Sequence, residues 1–249
     1  MVIACYNQGR WLVEAIESAL ASTHRALEVI VIDDGSTEPE TRAVLARLAF
    51  PRTRLICQPN RGVSYARNLG LAEARGEFIL CLDADDVLCP AYIAHALAVF
   101  RNNPTCSVVT ADFAQLFADG RRSPPVLGWQ RFEHRFFIER GGIVVSSLFR
   151  REAGLAVGGF SRVLNRVALE DYAFWLALYE RNPDFRFLPE VGLLYRQHGP
   201  SRNNHKVKRL LARLWHLLSH PRLYLRHPQA LVAILGGFWV RRWRLWCRR

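Results

Sequence analysis

Short apolar runs alternate with longer stretches of helical spacing through the first half of the chain. The apolar runs cover residues 2–5, 27–33, 54–57, 78–82 and 107–111. Helix-like stretches separate them at about 10–22, 38–49, 62–75 and 90–102. Apolar runs of this length without polar alternation are typical of strands buried on both faces of a parallel sheet. The alternation therefore predicts βαβ units and an α/β fold.

The second half of the chain has weaker patterns. Residues 119–130 are rich in glycine and proline and read as a loop between two halves of one domain. Residues 143–149 predict a strand, and 169–181 predict a helix whose first turn carries acids, which the helix dipole favours there. We expect a domain over residues 1–200, with halves of about 1–112 and 113–200, and a helical tail over 201–249 with helices at 203–218 and 227–246.

Two of the apolar runs end in acidic clusters. Asp33 and Asp34 end the second run, and Asp83, Asp85 and Asp86 follow the fourth. The carboxyl ends of parallel strands meet at one edge of an open α/β sheet, where such folds bind ligands. Carboxylates gathered there repel each other unless a cation or a hydrogen-bonding ligand offsets the charge. A hard divalent ion, Mg²⁺ or Mn²⁺, is the cation that oxygen ligands favour.

An ordered series of motifs accompanies these clusters. It comprises Ala4-Cys5-Tyr6-Asn7, Asp33-Asp34-Gly35-Ser36, the stretch from Asn60 to Gly70, Asp83-Ala84-Asp85-Asp86, Gly158-Gly159-Phe160, Glu170-Asp171-Tyr172 and Tyr195-Arg196-Gln197-His198. In this order the series resembles the family 2 glycosyltransferases over about residues 2–200. The resemblance implies a GT-A fold, which is Rossmann-like with a mostly parallel central sheet and helices on both faces. Here a basic helical appendage would follow it.

The resemblance also implies a role for each matched side chain. Donor-binding positions fall on Ala4, Tyr6, Asp33, Asp34, Arg67 and Asp83. Asp83 and Asp85 form a DxD motif, and Asp85, Asp83 and His198 are the implied metal ligands. Asp171 is the implied general base. Ala4 departs from the family, which commonly has Pro or Thr at that position.

The implied reaction is metal-assisted transfer of a sugar from a nucleotide-sugar donor, a UDP-sugar above all, to a hydroxyl of a glycan or glycolipid, with inversion. The metal would stabilise charge on the diphosphate leaving group, and a base would take the acceptor proton. The Gln-x-x-Arg-Trp motif of processive synthases is absent from the sequence. This favours transfer of single sugars, as in cell-surface polysaccharide or glycolipid synthesis.

Two alternatives remain open from the sequence. Residues 83–87 also match the opening motif of haloacid dehalogenase phosphatases, but those enzymes need a later catalytic lysine, and the first lysine here is Lys206. The second alternative is an inactive protein that binds sugar nucleotides or adapts a partner to the membrane. Turnover of a nucleotide sugar would separate the three functions.

Charge is distributed unevenly along the chain. Residues 1–200 contain 22 arginines and 22 acids, whereas residues 201–249 contain 12 lysines and arginines and no acid. The tail also carries four tryptophans, a composition typical of association with an anionic membrane surface. No nucleic-acid-binding motif accompanies the charge, and no apolar run is long enough to cross a membrane. With no signal peptide visible and no CxxC pair among six cysteines, we expect a cytoplasmic protein with reduced thiols, attached peripherally to the inner face of the plasma membrane.

Overall fold

The computed structural model describes residues 1–140, 142–165, 169–198 and 217–229. The strands are β1 (Val2–Cys5), β2 (Val29–Asp33), β3 (Thr53–Cys57), β4 (Phe78–Ile79), β5 (Cys81–Asp83), β6 (Val87–Leu88), β7 (Val108–Leu116), β8 (Leu148–Arg150) and β9 (Phe185–Arg196). The helices are α1 (Gly9–Leu20), α2 (Pro39–Ala46), α3 (Val63–Glu73), α4 (Tyr92–Asn102), α5 (His134–Arg140), α6 (Arg151–Ala156), α7 (Glu170–Arg181) and α8 (Pro221–Arg226). The predicted alternation over the first 102 residues is confirmed. The bounds of β1 are as predicted, and several other boundaries are shifted by a few residues.

The first sheet is parallel and has the strand order β3-β2-β1-β5. Cys5 of β1 lies opposite Asp33 of β2, and Ala4 lies opposite Asp83 of β5. Because all four strands run in the same direction, the two acidic clusters emerge at the same edge. The register thus confirms that the sheet brings the clusters to one side of the molecule.

Both faces of this sheet are covered by helices. Alternate residues of β1 and β2 point to opposite faces, so Ile3 and Val31 join one core with α1. Val2 and Ile30 join the other core with α3. All four side chains are fully buried, and each contributes about 1.5–3 kcal/mol relative to exposure. Burial on both faces explains why these runs show no polar alternation.

The second sheet is mixed and has the order β4-β8-β7-β9-β6. The apolar run 78–82, which predicts one strand, is divided between the two sheets. Its first part, β4, pairs with β8, and its second part, β5, pairs with β1. Leu80 lies at the crossing, where its carbonyl accepts a hydrogen bond from the Val2 amide at 2.9 Å. The predicted strands at 107–111 and 143–149 belong to this second sheet as β7 and β8. Strand β7 is longer than expected and strand β8 is shorter.

Strand β9 has no counterpart in the sequence prediction, because its sequence contains strand-breaking residues. It pairs with β7 in parallel. Ala111 of β7 pairs with Leu188 but the next residue, Asp112, pairs with Val191, so two residues of β9 are left without a partner. Pro189 and Glu190 lie in the resulting bulge, where proline costs no ladder hydrogen bond. Strand β6 and helices α5 and α6 were likewise not predicted, since each is short.

The segment 217–229 packs onto the second half of the predicted domain. Leu223 and Tyr224 of α8 are buried in the same core as α7. His220 Nδ1 lies 2.8 Å from Glu180 Oε2 on α7. The two helices predicted in the tail lie almost entirely outside the described residues. Within the described ranges, no helix is both long and apolar enough to cross a membrane.

Candidate active site

The loops after β1 and β2 are tied to each other at the sheet edge. Asn7, in the left-handed conformation that asparagine tolerates, accepts hydrogen bonds through Oδ1 from the amides of Thr37 and Glu38, at 2.8 and 3.0 Å. Beside Asn7, the Tyr6 ring is 38 % exposed. Tyr6 is therefore accessible at the position expected to contact a nucleotide base, whereas Ala4 lies within the sheet, half-buried.

Asp34 organises the start of α3. Its buried carboxylate accepts hydrogen bonds from the backbone amides of Arg61 and Gly62, at 2.9 and 2.7 Å. It also accepts one from the side-chain Nε2 of Gln58, at 2.6 Å. Asp33 is also buried and accepts from the Ser36 amide at 3.0 Å. Both carboxylates therefore shape the two loops, and the expected contacts of Asp33 and Asp34 with base or ribose stay predictions.

Arg67 forms a buried bridge between the DxD motif and α7. Its Nη2 donates to Asp83 Oδ1 at 2.8 Å, and its Nη1 donates to Glu170 Oε1 at 2.9 Å. Burial favours the neutral form of Arg67, but the two carboxylates outweigh it and raise the pKa of the guanidinium. These bonds use two of the five guanidinium N–H donors, so contact with a donor diphosphate would depend on access to a side chain that is only 5 % exposed. That contact also stays a prediction.

Asp85 pairs with His198 across the cleft. The Asp85 Oδ2 and His198 Nε2 atoms are 2.8 Å apart. The His198 ring packs on Trp11, with 4.2 Å between ring centroids, and Arg10 lies over Trp11 at the same distance. Burial and, after it, Asp83 raise the pKa of Asp85, although His198 opposes the shift. A cation that binds next to Asp85 would therefore stabilise the ionised form of its carboxylate.

Arg196 of β9 is hydrogen-bonded to the turn that contains the DxD motif. Its amide donates to Asp86 Oδ1 at 2.9 Å, and its Nε donates to the Asp85 carbonyl at 2.7 Å. Its Nη2 reaches Glu14 of α1. Burial, followed by the charge of Asp83, raises the pKa of Asp86 to about 9. Asp86 is therefore protonated at neutral pH, which reduces the repulsion within the cluster.

Asp171 lies in the first turn of α7, next to Glu170. The residue before the helix, Leu169, has φ +69°, a left-handed conformation that is strained for leucine and often found at functional sites. Burial and then the charge of Glu170 raise the pKa of Asp171 to about 6, while Arg67 opposes the shift. A carboxylate with such a pKa suits a general base near neutral pH.

Comparison with known proteins agrees with this geometry. Residues 1–156 match the sequence model of Glycosyl transferase family 2. The chain belongs to this family. Its relatives include an uncharacterized glycosyltransferase of Nostoc, 38 % identical over 112 residues, which are 44 % of this chain and 34 % of the relative. A chondroitin synthase of Escherichia coli is 28 % identical over 209 residues, covering 84 % of this chain and 30 % of the synthase.

Solved structures establish the fold of this family 2 chain. Staphylococcus aureus TarS in complex with UDP-GlcNAc superimposes with a TM-score of 0.67 at 18 % identity, over 81 % of this chain and 59 % of that one. The expected GT-A fold is thus confirmed. The chain spans about a third of the length of the Nostoc and Escherichia coli relatives.

The acidic cluster suits a metal that arrives with a substrate. No group of three or more His, Cys, Asp or Glu side chains in the described part of the chain is arranged to hold an ion unaided. Asp85 and His198 supply an oxygen and a nitrogen, with Asp83 beside them. Mg²⁺ is often held by one or two carboxylates together with substrate phosphates and waters. The residues therefore fit a divalent ion shared with a diphosphate.

Sequence reasoning missed three residues of this site. Glu170 lies within a recognised motif, but its bond to Arg67 could not be read from spacing. Arg196 lies within another motif, and its hydrogen bond to the DxD turn could not be predicted because strand β9, which positions it, was not predicted. Trp11 carries no motif signal, because only the tertiary structure places it against His198.

We predict that Arg67→Met lowers the free energy of unfolding by about 3–5 kcal/mol, because it leaves two carboxylates without their buried partner. Urea unfolding measures the change. Arg54→Met is the matched control, since Arg54 forms a more exposed pair with Glu73 and should cost no more than about 1 kcal/mol. Equal losses in the two variants would contradict a special role for the buried bridge.

Proposed function

We propose that this chain transfers single sugars from a UDP-sugar to a hydroxyl of a glycan or glycolipid, with metal assistance and inversion. The observation that carries the proposal is the Arg67 bridge. It connects Asp83 of the DxD motif to Glu170, the immediate neighbour of the proposed base Asp171. The groups for the donor and for the acceptor proton therefore belong to one connected site.

The similarities support a nucleotide-sugar donor. TarS structures contain UDP or UDP-GlcNAc, which makes a UDP-sugar the first donor to test here. Relatives that include a chondroitin synthase and the succinoglycan biosynthesis protein ExoO of Rhizobium meliloti, 47 % identical over 90 residues, support a role in polysaccharide synthesis. The family match argues against the phosphatase alternative. An inactive binding protein remains the competing interpretation, and turnover tests it.

In the proposed mechanism, Asp85 and His198 would hold the divalent ion, with Asp83 beside them. The ion would act as a Lewis acid for the charge that develops on the diphosphate. Asp171 accepts the proton from the acceptor hydroxyl as that oxygen bonds to the anomeric carbon from the side opposite the diphosphate. The bond between the anomeric carbon and the diphosphate oxygen breaks at the same time, and the nucleoside diphosphate leaves. Arg67 keeps Asp83 and the first turn of α7 in register during this displacement. The product would have inverted configuration.

We expect Asp85→Ala to reduce turnover at least about a hundredfold, because it removes a group that holds the charge-stabilising ion. A panel of nucleotide sugars with a nucleoside-diphosphate release assay provides the measurement, with Mg²⁺ or Mn²⁺ and with chelator. Asp119→Ala is the control, since among the described residues that exposed carboxylate pairs only with Arg121. Full wild-type activity in chelator would exclude metal assistance.

Asp171 must be ionised to accept a proton, so turnover should fall about tenfold for each pH unit below its pKa of about 6. Asp171→Asn keeps the size of the side chain but cannot take the proton. We expect it to lose about 10²–10⁴-fold in turnover with donor affinity nearly unchanged. The pH profile and the anomeric configuration of the product check the assignment, which a retained configuration or near-wild-type turnover would refute.

We propose further that the basic tail, residues 201–249, attaches the protein peripherally to the cytoplasmic face of the plasma membrane. The support is the charge distribution, with 12 lysines and arginines and no acid in this stretch. Each basic residue near an anionic surface contributes about 1 kcal/mol, and the tryptophans would add apolar burial.

Deleting residues 227–249 should therefore reduce binding to anionic vesicles in co-sedimentation at low salt. The truncation retains Leu223 and Tyr224, which belong to the core, so the site should stay folded. Matched neutral vesicles and high salt serve as controls. Equal sedimentation of the full-length and truncated proteins would rule out residues 227–249 as the anchor.

A further inference from the structure

Two arginines from distant parts of the chain converge on the ring of Tyr65. The Arg61 Cζ lies 4.2 Å from the ring centroid, and the Arg162 Cζ lies 5.2 Å from it. Both distances are within the range of cation–π contacts. Arg61 precedes α3, and Arg162 follows the Gly158-Gly159-Phe160 loop. The tertiary structure thus brings two positive charges to one half-buried aromatic side chain. We name these three residues the arginine clamp.

No carboxylate neutralises the arginine clamp. Among the described residues, neither guanidinium has a salt-bridge partner, although most of the other ion pairs involve arginine. The two segments that carry the clamp, residues 58–65 and 158–165, contain no acid. Asp34, which contacts the backbone amide of Arg61, is buried and accepts hydrogen bonds from two backbone amides and from the Gln58 side chain. The clamp therefore has positive charge without a compensating group in the described chain.

The loops that carry the clamp are fixed to each other. The Asn165 side chain accepts from the Ser64 amide at 2.9 Å and donates to the Arg61 carbonyl. One turn further along α3, Asn68 exchanges two hydrogen bonds with the backbone of Phe160, at 2.7 and 2.9 Å. These contacts hold the backbones of both arginines in place before any ligand binds, which lowers the entropy cost of binding.

The clamp lies at the same edge of the parallel sheet as the acidic cluster. Asp34, which directly follows β2, contacts the amide of Arg61, so the clamp borders the proposed donor site. Guanidinium groups present several N–H donors in a plane and match phosphate and carboxylate oxygens. A guanidinium that makes a cation–π contact with a tyrosine ring can still use its N–H groups to bind a ligand.

We propose that Arg61 and Arg162, supported by Tyr65, form a binding site for a phosphate-type oxyanion of a substrate. The anion comes either from the diphosphate of the donor or from a phosphate group on the acceptor. That it belongs to a substrate rests on the proposed glycosyl transfer, but the binding of an anion does not. The site can therefore be tested without turnover.

The test measures binding of inorganic phosphate and of UDP to the full-length protein by calorimetry, without metal. Arg61→Gln/Arg162→Gln removes both charges, and Tyr65→Leu removes the support. Arg131→Gln/Arg135→Gln is the matched control, because these two arginines are also exposed. We expect the clamp variant to bind phosphate at least fivefold more weakly than the wild type, the control variant to bind normally, and Tyr65→Leu to lie between. Thermal melting verifies that each variant is folded.

Saturating UDP separates the two sources of the anion. If phosphate still binds in the presence of UDP, the clamp serves an acceptor phosphate. If UDP displaces phosphate and binds the clamp variant more weakly, the clamp serves the donor diphosphate. Equal binding of phosphate and UDP by the wild type and the clamp variant, or no phosphate binding by the wild type together with unchanged UDP affinity, would overturn the proposal. Loss of turnover in Asp85→Ala has no bearing on this result, so the two proposals can fail separately.

Discussion

The active site depends on one buried cation. Arg67 is surrounded by protein, and Asp83 and Glu170 accept its hydrogen bonds and compensate its charge. Those carboxylates come from the edge strand of the parallel sheet and from a helix of the other half of the chain. A buried ion pair contributes little net stability relative to apolar residues of the same shape, but breaking one is costly. The bridge therefore enforces the relative position of the two halves more than it stabilises either one.

The same bridge sets the electrostatics of the cluster. Arg67 offsets part of the negative charge around Asp83, while burial keeps Asp86 protonated and raises the pKa of Asp171 to about 6. Asp85 is left with a raised pKa and a histidine partner. A single buried guanidinium thus connects the DxD motif to the first turn of α7, which carries the proposed general base. The arginine clamp, near the start of the helix that carries Arg67, adds positive charge on exposed side chains.

Where prediction succeeded, the information was local. The runs that became β1 and β2 are uniformly apolar because both of their faces are buried, and the acids at the end of β2 mark the carboxyl edge. The division of run 78–82 was not foreseeable, because it depends on which partner strand each end meets. Strand β9 was hidden by Pro189 and Gly192, which are acceptable only because the pairing with β7 is interrupted there.

The sequence by itself determined the class of fold, the family and the identity of the acidic residues, since apolar periodicity and motif order are properties of the chain read along its length. The tertiary structure decided which charges meet. Spacing along the chain could not show that the buried Arg67 contacts Asp83 and Glu170. It also could not show that the exposed Arg61 and Arg162 contact the same ring, that of Tyr65. Ion pairs and cation–π contacts act over a few ångströms, so they depend on how distant segments pack.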